Sequence, residues 1–204
     1  MAVGGLLLLA AGAALAVTPV AVPETAAVVP AAAPVAVPDC RGRIDAATSE
    51  ARFVVDVRLP IKAEGRFAEV EGELKPRRDG QCEVHVRLRA DTVDYSGPEW
   101  MAKLTRSPAF LDAENHPDVA FDSLAFPAGW LNAGGAIRGR LTLRGRERPV
   151  EFTLRPADCD TPGQACPIRV SGEVSRRDFG MQAYRFTVKD NVRFEFAIRL
   201  QAAP

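Results

Sequence analysis

From Phe53 to Leu200 the chain keeps returning to one pattern, short runs in which apolar residues take every second position. Phe53, Val55, Val57 and Leu59 make the first set, Ala68, Val70, Gly72 and Leu74 the second, and Val84, Val86, Leu88 and Ala90 the third. Val119 and Phe121 begin a fourth, Ile137, Leu141 and Leu143 mark a fifth, and Val150, Phe152 and Leu154 a sixth. Ile168, Val170 and Val174 give a seventh, and Val192, Phe194, Phe196, Ile198 and Leu200 an eighth. Successive side chains of a strand point to opposite faces, so this period of two means strands with one buried face. "RRDG" at 77–80, "PAGW" at 127–130 and "LRGRERP" at 143–149 supply turn chemistry between runs. Only "SGPEWMAKLTRS", residues 96–107, reads as helix, with Ser96 as N-cap and Trp100, Met101 and Leu104 on one side. The fold class is therefore all-β with one short helix. Eight such strands can close into an antiparallel barrel, which removes sheet edges and leaves room for one small ligand.

The stretch "GRLTLRGRERPVEF", residues 139–152, holds four arginines and raises the question of a nucleic-acid patch. Its alternation answers it, because Leu141, Leu143, Val150 and Phe152 take the inward parity and the arginines the outward one, with Arg148 read as a turn residue. The chain carries 26 Lys plus Arg against 26 Asp plus Glu, so the cationic excess that drives nucleic-acid binding is missing.

Residues 1–38 contain a single charged residue, Glu24. The run "GLLLLAAGAALAV" is as long as a secretory h-region and shorter than a membrane span of about 20 residues. Ala14-Leu15-Ala16 offers a cleavage site, so residues 1–16 read as a signal peptide, one without a basic n-region. Residues 17–38, with five prolines among small residues, read as a linker, and the folded domain occupies 39–204.

Cys40, Cys82, Cys159 and Cys166 follow that leader, and an even count in an exported domain argues for two disulfides. Four cysteines allow three connectivities. Cys159 with Cys166 across "DTPGQA" is the most economical pairing, leaving Cys40 with Cys82. A four-thiolate zinc site would favour CxxC spacing, which is absent, so no metal is expected. "AVPD" ahead of Cys40 is unlike a lipobox.

Catalysis by acid, base or nucleophile finds little to work with. His85 lies on the outward parity of its strand and His116 sits before Pro117 in a loop. No GxSxG, HExxH or Gly-rich phosphate loop occurs, and no carboxylate or histidine falls on an inward position, so the chain reads as a binding protein without a cofactor. An apolar interior closed by loops and a helix suits a long hydrophobic ligand.

The order of "GRFAEVEGEL" at 65–74, "SPAFLDAENHPDVAFDS" at 107–123, "GRLTLRGRERPVEF", "RRDFGM" at 176–181 and "VKDNVRFEFAIRL" at 188–200 closely resembles the YceI-like family. Ser107, Phe110, Leu111 and Asp112 match its "S..FFD" segment, and Pro117, Phe121 and Ser123 its "yP...F.S". Gly139, Leu141, Thr142, Gly145, Arg148, Pro149 and Val150 match "G.LT..G...PV", and Arg176, Asp178, Phe179, Gly180 and Met181 match "R.DFGM".

The resemblance implies a lipocalin-like, eight-stranded antiparallel barrel, exported to the periplasm, that holds a polyisoprenoid or quinone-like chain as carrier or sensor, with a b-type cytochrome as a membrane partner in some relatives. The alternative is an envelope interaction module whose barrel is filled by its own side chains. Ligand-facing candidates are Phe53, Val55 and Val57 on the first strand, Val86 and Leu88 on the third, and Phe110 and Phe121 further on. Leu141, Leu143, Phe152, Phe194 and Phe196 continue the inward set, and Phe179 and Met181 are candidates for a lid or plug. Arg176 is the head-group candidate, with a salt bridge or cap beside Asp178 as its structural alternative. Family members often carry an Arg-Asp pair where this chain has Met101 and Ala102; if that pair binds a polar head group, the resemblance implies a different or less anionic ligand here.

Overall fold

The computed structural model describes Met1 and residues 40–58, 62–95 and 97–201. The expected signal peptide and linker, Met1 aside, lie outside the described residues, as do Leu59 and Ser96.

The strands are β1 (Gly42–Arg43), β2 (Glu50–Val57), β3 (Lys62–Phe67), β4 (Val70–Pro76), β5 (Gln81–Arg89) and β6 (Val93–Tyr95). After helix α1 (Glu99–Arg106) come β7 (Asp118–Ser123), β8 (Phe126–Pro127), the short helix α2 (Trp130–Ala133), β9 (Gly135–Leu143), β10 (Arg146–Leu154), β11 (Ile168–Ser175) and β12 (Val188–Ile198). The all-β class stands. Two numbers change: the described residues form twelve strands where the pattern predicted eight, and two helices where it predicted one. The added strands are those that alternation cannot announce. β1 and β8 have two residues each and β6 three, while β3, "KAEGRF", puts Ala63, Gly65 and Phe67 on the inner parity, so small residues mask its pattern. "PAGW" is likewise not a simple turn, since Phe126–Pro127 pairs with β5 and Trp130 opens α2.

Every ladder is antiparallel, in the order β1-β4-β5-β7-β9-β10-β11-β12-β2-β3-β6, with β8 on β5. Only Ala68 and Glu69 separate β3 from β4, yet β3 pairs with β2 and β4 with β5. One bent stretch of chain therefore joins the two flanks, and the sheet curls around an interior. Ile44, just after β1, pairs with Leu200, just after β12, and draws the sheet together again at the other end. Successive antiparallel pairings place α1, the β9–β10 turn and residues 176–187 at one end, and α2 with the 155–167 loop at the opposite end.

The β9–β10 hairpin turns on two residues, Arg144 (φ 53°) and Gly145 (φ 65°). Two positive φ values in a two-residue loop are what the twist of a tight hairpin requires, and glycine adopts one of them without steric cost. The outward arginines pair across this hairpin, Arg138 with Glu151 at 2.7 Å and Arg140 with Glu147 at 3.3 Å. Such exposed pairs contribute about 0.2–1 kcal/mol each to stability. Arg148 lies within β10 and not in the turn.

Both disulfides form, Cys40 with Cys82 and Cys159 with Cys166. The first anchors the segment before β1 to β5, and the second staples the loop between β10 and β11.

Candidate functional site

Inward side chains of the curled sheet enclose two cavities. The lower, about 70 Å³, is walled by apolar residues of β4, β5, β7 and β9–β12, among them Val86, Leu88, Phe121, Leu141, Phe152 and Phe196. The upper is larger, about 280 Å³, close to the low end of small-molecule pockets. Phe194 lines both and stands between them.

That division is built from aromatic rings. Phe152 meets Phe121, Phe194 and Phe196 edge-on at 5.0, 6.5 and 5.9 Å, and Phe194 stacks on Phe196 at 6.2 Å. Edge-to-face and offset pairs at these separations add to what burial alone contributes. The rings fit because glycine faces them: a Cβ at Gly172 would overlap Phe152, and one at Gly65 would overlap Phe53. Glycine inside a strand is unfavourable by itself, and here it marks where an aromatic ring lies flat on the backbone.

The upper cavity takes Phe53, Val55 and Val57 from β2, Ala63 and Phe67 from β3, Leu143 from β9, and Val188 and Val192 from β12. Trp100, Met101 and Leu104, the apolar side of α1, roof it, together with Phe110 and Leu111 from the following loop. Trp100 is 63% exposed and Tyr184 53%, although both line the cavity, which places its opening beside them. Tyr184 has φ 55°, and its carbonyl accepts from the backbone N–H groups of Thr187 and Val188, a local turn that holds its ring stacked on Phe110 at 5.7 Å.

The polar groups in this lining are Tyr95, Thr105 and Arg176, with the Tyr184 phenol and the Trp100 indole N–H on the exposed side chains at the opening. Thr105 donates its hydroxyl to the Tyr95 phenol at 2.9 Å, leaving the phenol proton to donate elsewhere. Burial pushes the Tyr95 pKa above its ordinary 10.0, against the opposing pull of the Thr105 bond, so the phenol stays neutral. Arg176 is 1% exposed. Its Nε donates to the Lys189 carbonyl at 3.1 Å, its Nη1 to Met181 at 2.6 Å and Ala183 at 2.8 Å, and its Nη2 to Val188 at 3.2 Å. No bond to Asp178 forms among the described residues, so the salt bridge considered from sequence is replaced by a clamp on four backbone carbonyls. Desolvation lowers its pKa, with Asp190 as a favourable charge nearby. One Nη2 hydrogen is left over from the five N–H groups of a guanidinium.

The structure thus places nearly all the residues singled out by strand parity, and Phe110, Met181 and Arg176 from the motifs, in the lining of one cavity or the other. Val86, Leu88, Phe121, Leu141, Phe152 and Phe196 line the lower cavity, and Phe53, Val55, Val57, Phe110, Leu143, Met181 and Arg176 the upper. Phe179 is 1% exposed and lines neither. Sequence reasoning missed Tyr95, Thr105, Tyr184 and the inner face of β3. Trp100, Met101 and Leu104 were visible as one helix side, but nothing in the pattern said which cavity they covered.

Residues 43–200 match the model of the YceI-like domain. The chain belongs to the YceI-like family. Solved structures agree in fold: that of BcnA from Burkholderia cenocepacia is 21% identical, with a TM-score of 0.63 over 76% of this chain and 98% of its own. A polyisoprenoid binding domain from Saccharophagus degradans is 14% identical, with a TM-score of 0.58 over 76% of this chain and 95% of that one. The Campylobacter jejuni YCEI protein is 14% identical, with a TM-score of 0.50 over 68% and 85% respectively. No curated protein matches the sequence. Set in this YceI-like fold, Met101 lines the roof over the upper cavity and Ala102 is buried, so this part of the roof is apolar.

Proposed function

We propose that this protein holds one isoprenoid-type lipid, polyprenyl or quinone-like, with its chain in the upper cavity, and serves as an exported carrier or sensor in the periplasm. The observation that carries this is the upper cavity itself, an open, almost wholly apolar space roofed by α1 and floored by Phe194. Burying apolar chain there gains about 25 cal/mol per Å² removed from water, and the aromatic walls supply area with little rotamer entropy to lose. The phenol of Tyr95 and the remaining Nη2 hydrogen of Arg176 are donors inside the cavity for a head-group oxygen. A carbonyl or hydroxyl suits them, in keeping with the missing Arg-Asp pair. The description of the Saccharophagus degradans relative as polyisoprenoid binding supports the ligand class. Two disulfides support an oxidising compartment, and no helix among the described residues is long and apolar enough to cross a membrane. No feature of the fold or its neighbours supports a b-type cytochrome partner, so the proposal includes none.

The experiment is native mass spectrometry of the purified protein with organic extraction of whatever it carries. An isoprenoid released in about equimolar amount is the expected result. A protein that carries no lipid and takes up neither a short polyprenol nor a quinone sinks the reading and leaves the filled-barrel interaction module in its place.

A further inference from the structure

Beyond binding a lipid, the protein must meet the surface from which the lipid comes, and the cavity opening carries the features of such a meeting. Apart from Met1, the exposed large apolar side chains among the described residues are Trp100, Tyr184, Phe186 and Leu124, and three of these four sit at the opening. Trp100 and Tyr184 line the cavity, while Phe186, 70% exposed, lies two residues beyond Tyr184. Beside Phe186 is a shallow depression bordered by Arg58, Arg177, Gln182 and Arg185; the same three arginines also border an adjoining depression where Lys189 and Arg193 join them against Asp56, Glu173 and Asp190, so cations outnumber acids by five to three there. Arg177 is balanced by Asp190 at 3.4 Å, but Arg58 and Arg185 form no ion pair among the described residues. Arg185 instead lies over the Phe186 ring at 4.7 Å. Elsewhere on the sheet exterior Arg66, Arg89, Arg138, Arg140 and Arg193 are each paired with an acid across strands, which Arg58 and Arg185 are not.

We propose that this rim docks on an anionic lipid bilayer, with Trp100, Tyr184 and Phe186 entering the interfacial layer and the Arg58–Arg177–Arg185 depression receiving lipid phosphates. Amphipathic aromatic rings settle at the level of the head groups, and basic side chains are drawn to anionic leaflets. Docked this way, the cavity opening faces the bilayer, and an apolar chain passes into the protein without crossing water. The inference rests on the lipid-binding reading, and its test separates the two.

The test uses vesicle flotation with phosphatidylcholine alone and with added phosphatidylglycerol, on the purified protein and on Arg185→Ala, Phe186→Ser and Leu124→Ser variants. None of these three residues lines the upper cavity, and Leu124 lies at the opposite end as a control. The chain has two tryptophans, so a Trp130→Phe background leaves Trp100 as the only reporter for quenching by brominated phospholipids. The expected result is flotation with phosphatidylglycerol vesicles that weakens with salt, quenching of Trp100, and a loss of about fivefold in affinity when Arg185 is removed. Leu124→Ser should change nothing. Flotation that is absent, equal for neutral vesicles, or equally reduced by Leu124→Ser overturns the proposal, as does an unquenched Trp100. A protein that retains its isoprenoid but ignores vesicles refutes docking alone and leaves the rim to a protein partner. One that floats yet never carries lipid supports docking and refutes the cargo.

Discussion

Replacing Arg176 by methionine tests whether the upper cavity is held open by one buried guanidinium. The four carbonyls it serves belong to Met181, Ala183, Val188 and Lys189, so a single side chain fixes the loop that carries Tyr184 and the start of β12. Hydrogen bonds from a charged donor contribute about 1.5–3 kcal/mol each, so four at the lower end amount to about 6 kcal/mol. Against this, methionine no longer has a charge to desolvate, which returns a few kcal/mol. Methionine also keeps most of the volume, so the cavity penalty is small. The net expectation is destabilisation by about 2–4 kcal/mol. Urea unfolding with linear extrapolation measures it, provided the slope is unchanged. Amide exchange adds a local readout, since residues 181–189 should lose protection while β9 and β10 keep theirs. Arg176→Lys should rescue little, because an ammonium has three donors on one nitrogen and cannot span four carbonyls. A methionine variant within about 0.5 kcal/mol of the parent, with protection of 181–189 intact, would falsify the clamp.

Two further outcomes follow from the packing. Gly172→Ala puts a methyl where Phe152 lies, and that ring is already against Phe121 and Phe196, so thermal unfolding should show a loss of about 1–3 kcal/mol; an unchanged midpoint would mean the rings move freely. The disulfides should differ in weight, because Cys40–Cys82 spans 42 residues and Cys159–Cys166 only 7. Loop-closure entropy gives about 4 kcal/mol for the first and about 2 for the second, so the Cys40→Ala/Cys82→Ala protein should melt well below the Cys159→Ala/Cys166→Ala one, and the reverse order would refute the entropic account.

The sequence by itself determined the all-β class and the inward parity of the long strands. Those follow from a local rule: a strand with one wet and one dry face must alternate, and Phe53, Val86, Leu141, Phe152 and Phe194 obey it. It did not determine the place of every arginine: Arg140 faces outward, Arg144 lies in the turn, and Arg146 and Arg148 stay exposed although they stand opposite Leu143 and Leu141. The same parity made most of the cavity lining legible, since inward in a curled sheet means toward the interior. It could not show strands whose inner positions are small or few, as in β3 and β6, nor distinguish a filled interior from an open one. Whether Phe179 packs or lines a cavity depends on distances between residues far apart in the chain, as does the split of the interior at Phe194. Arg176 shows the limit best. Next to Asp178 in sequence it suggests an ion pair, but the fold brings four carbonyls from residues 181–189 within reach, and only the tertiary structure could decide between a neighbour in the chain and neighbours in space.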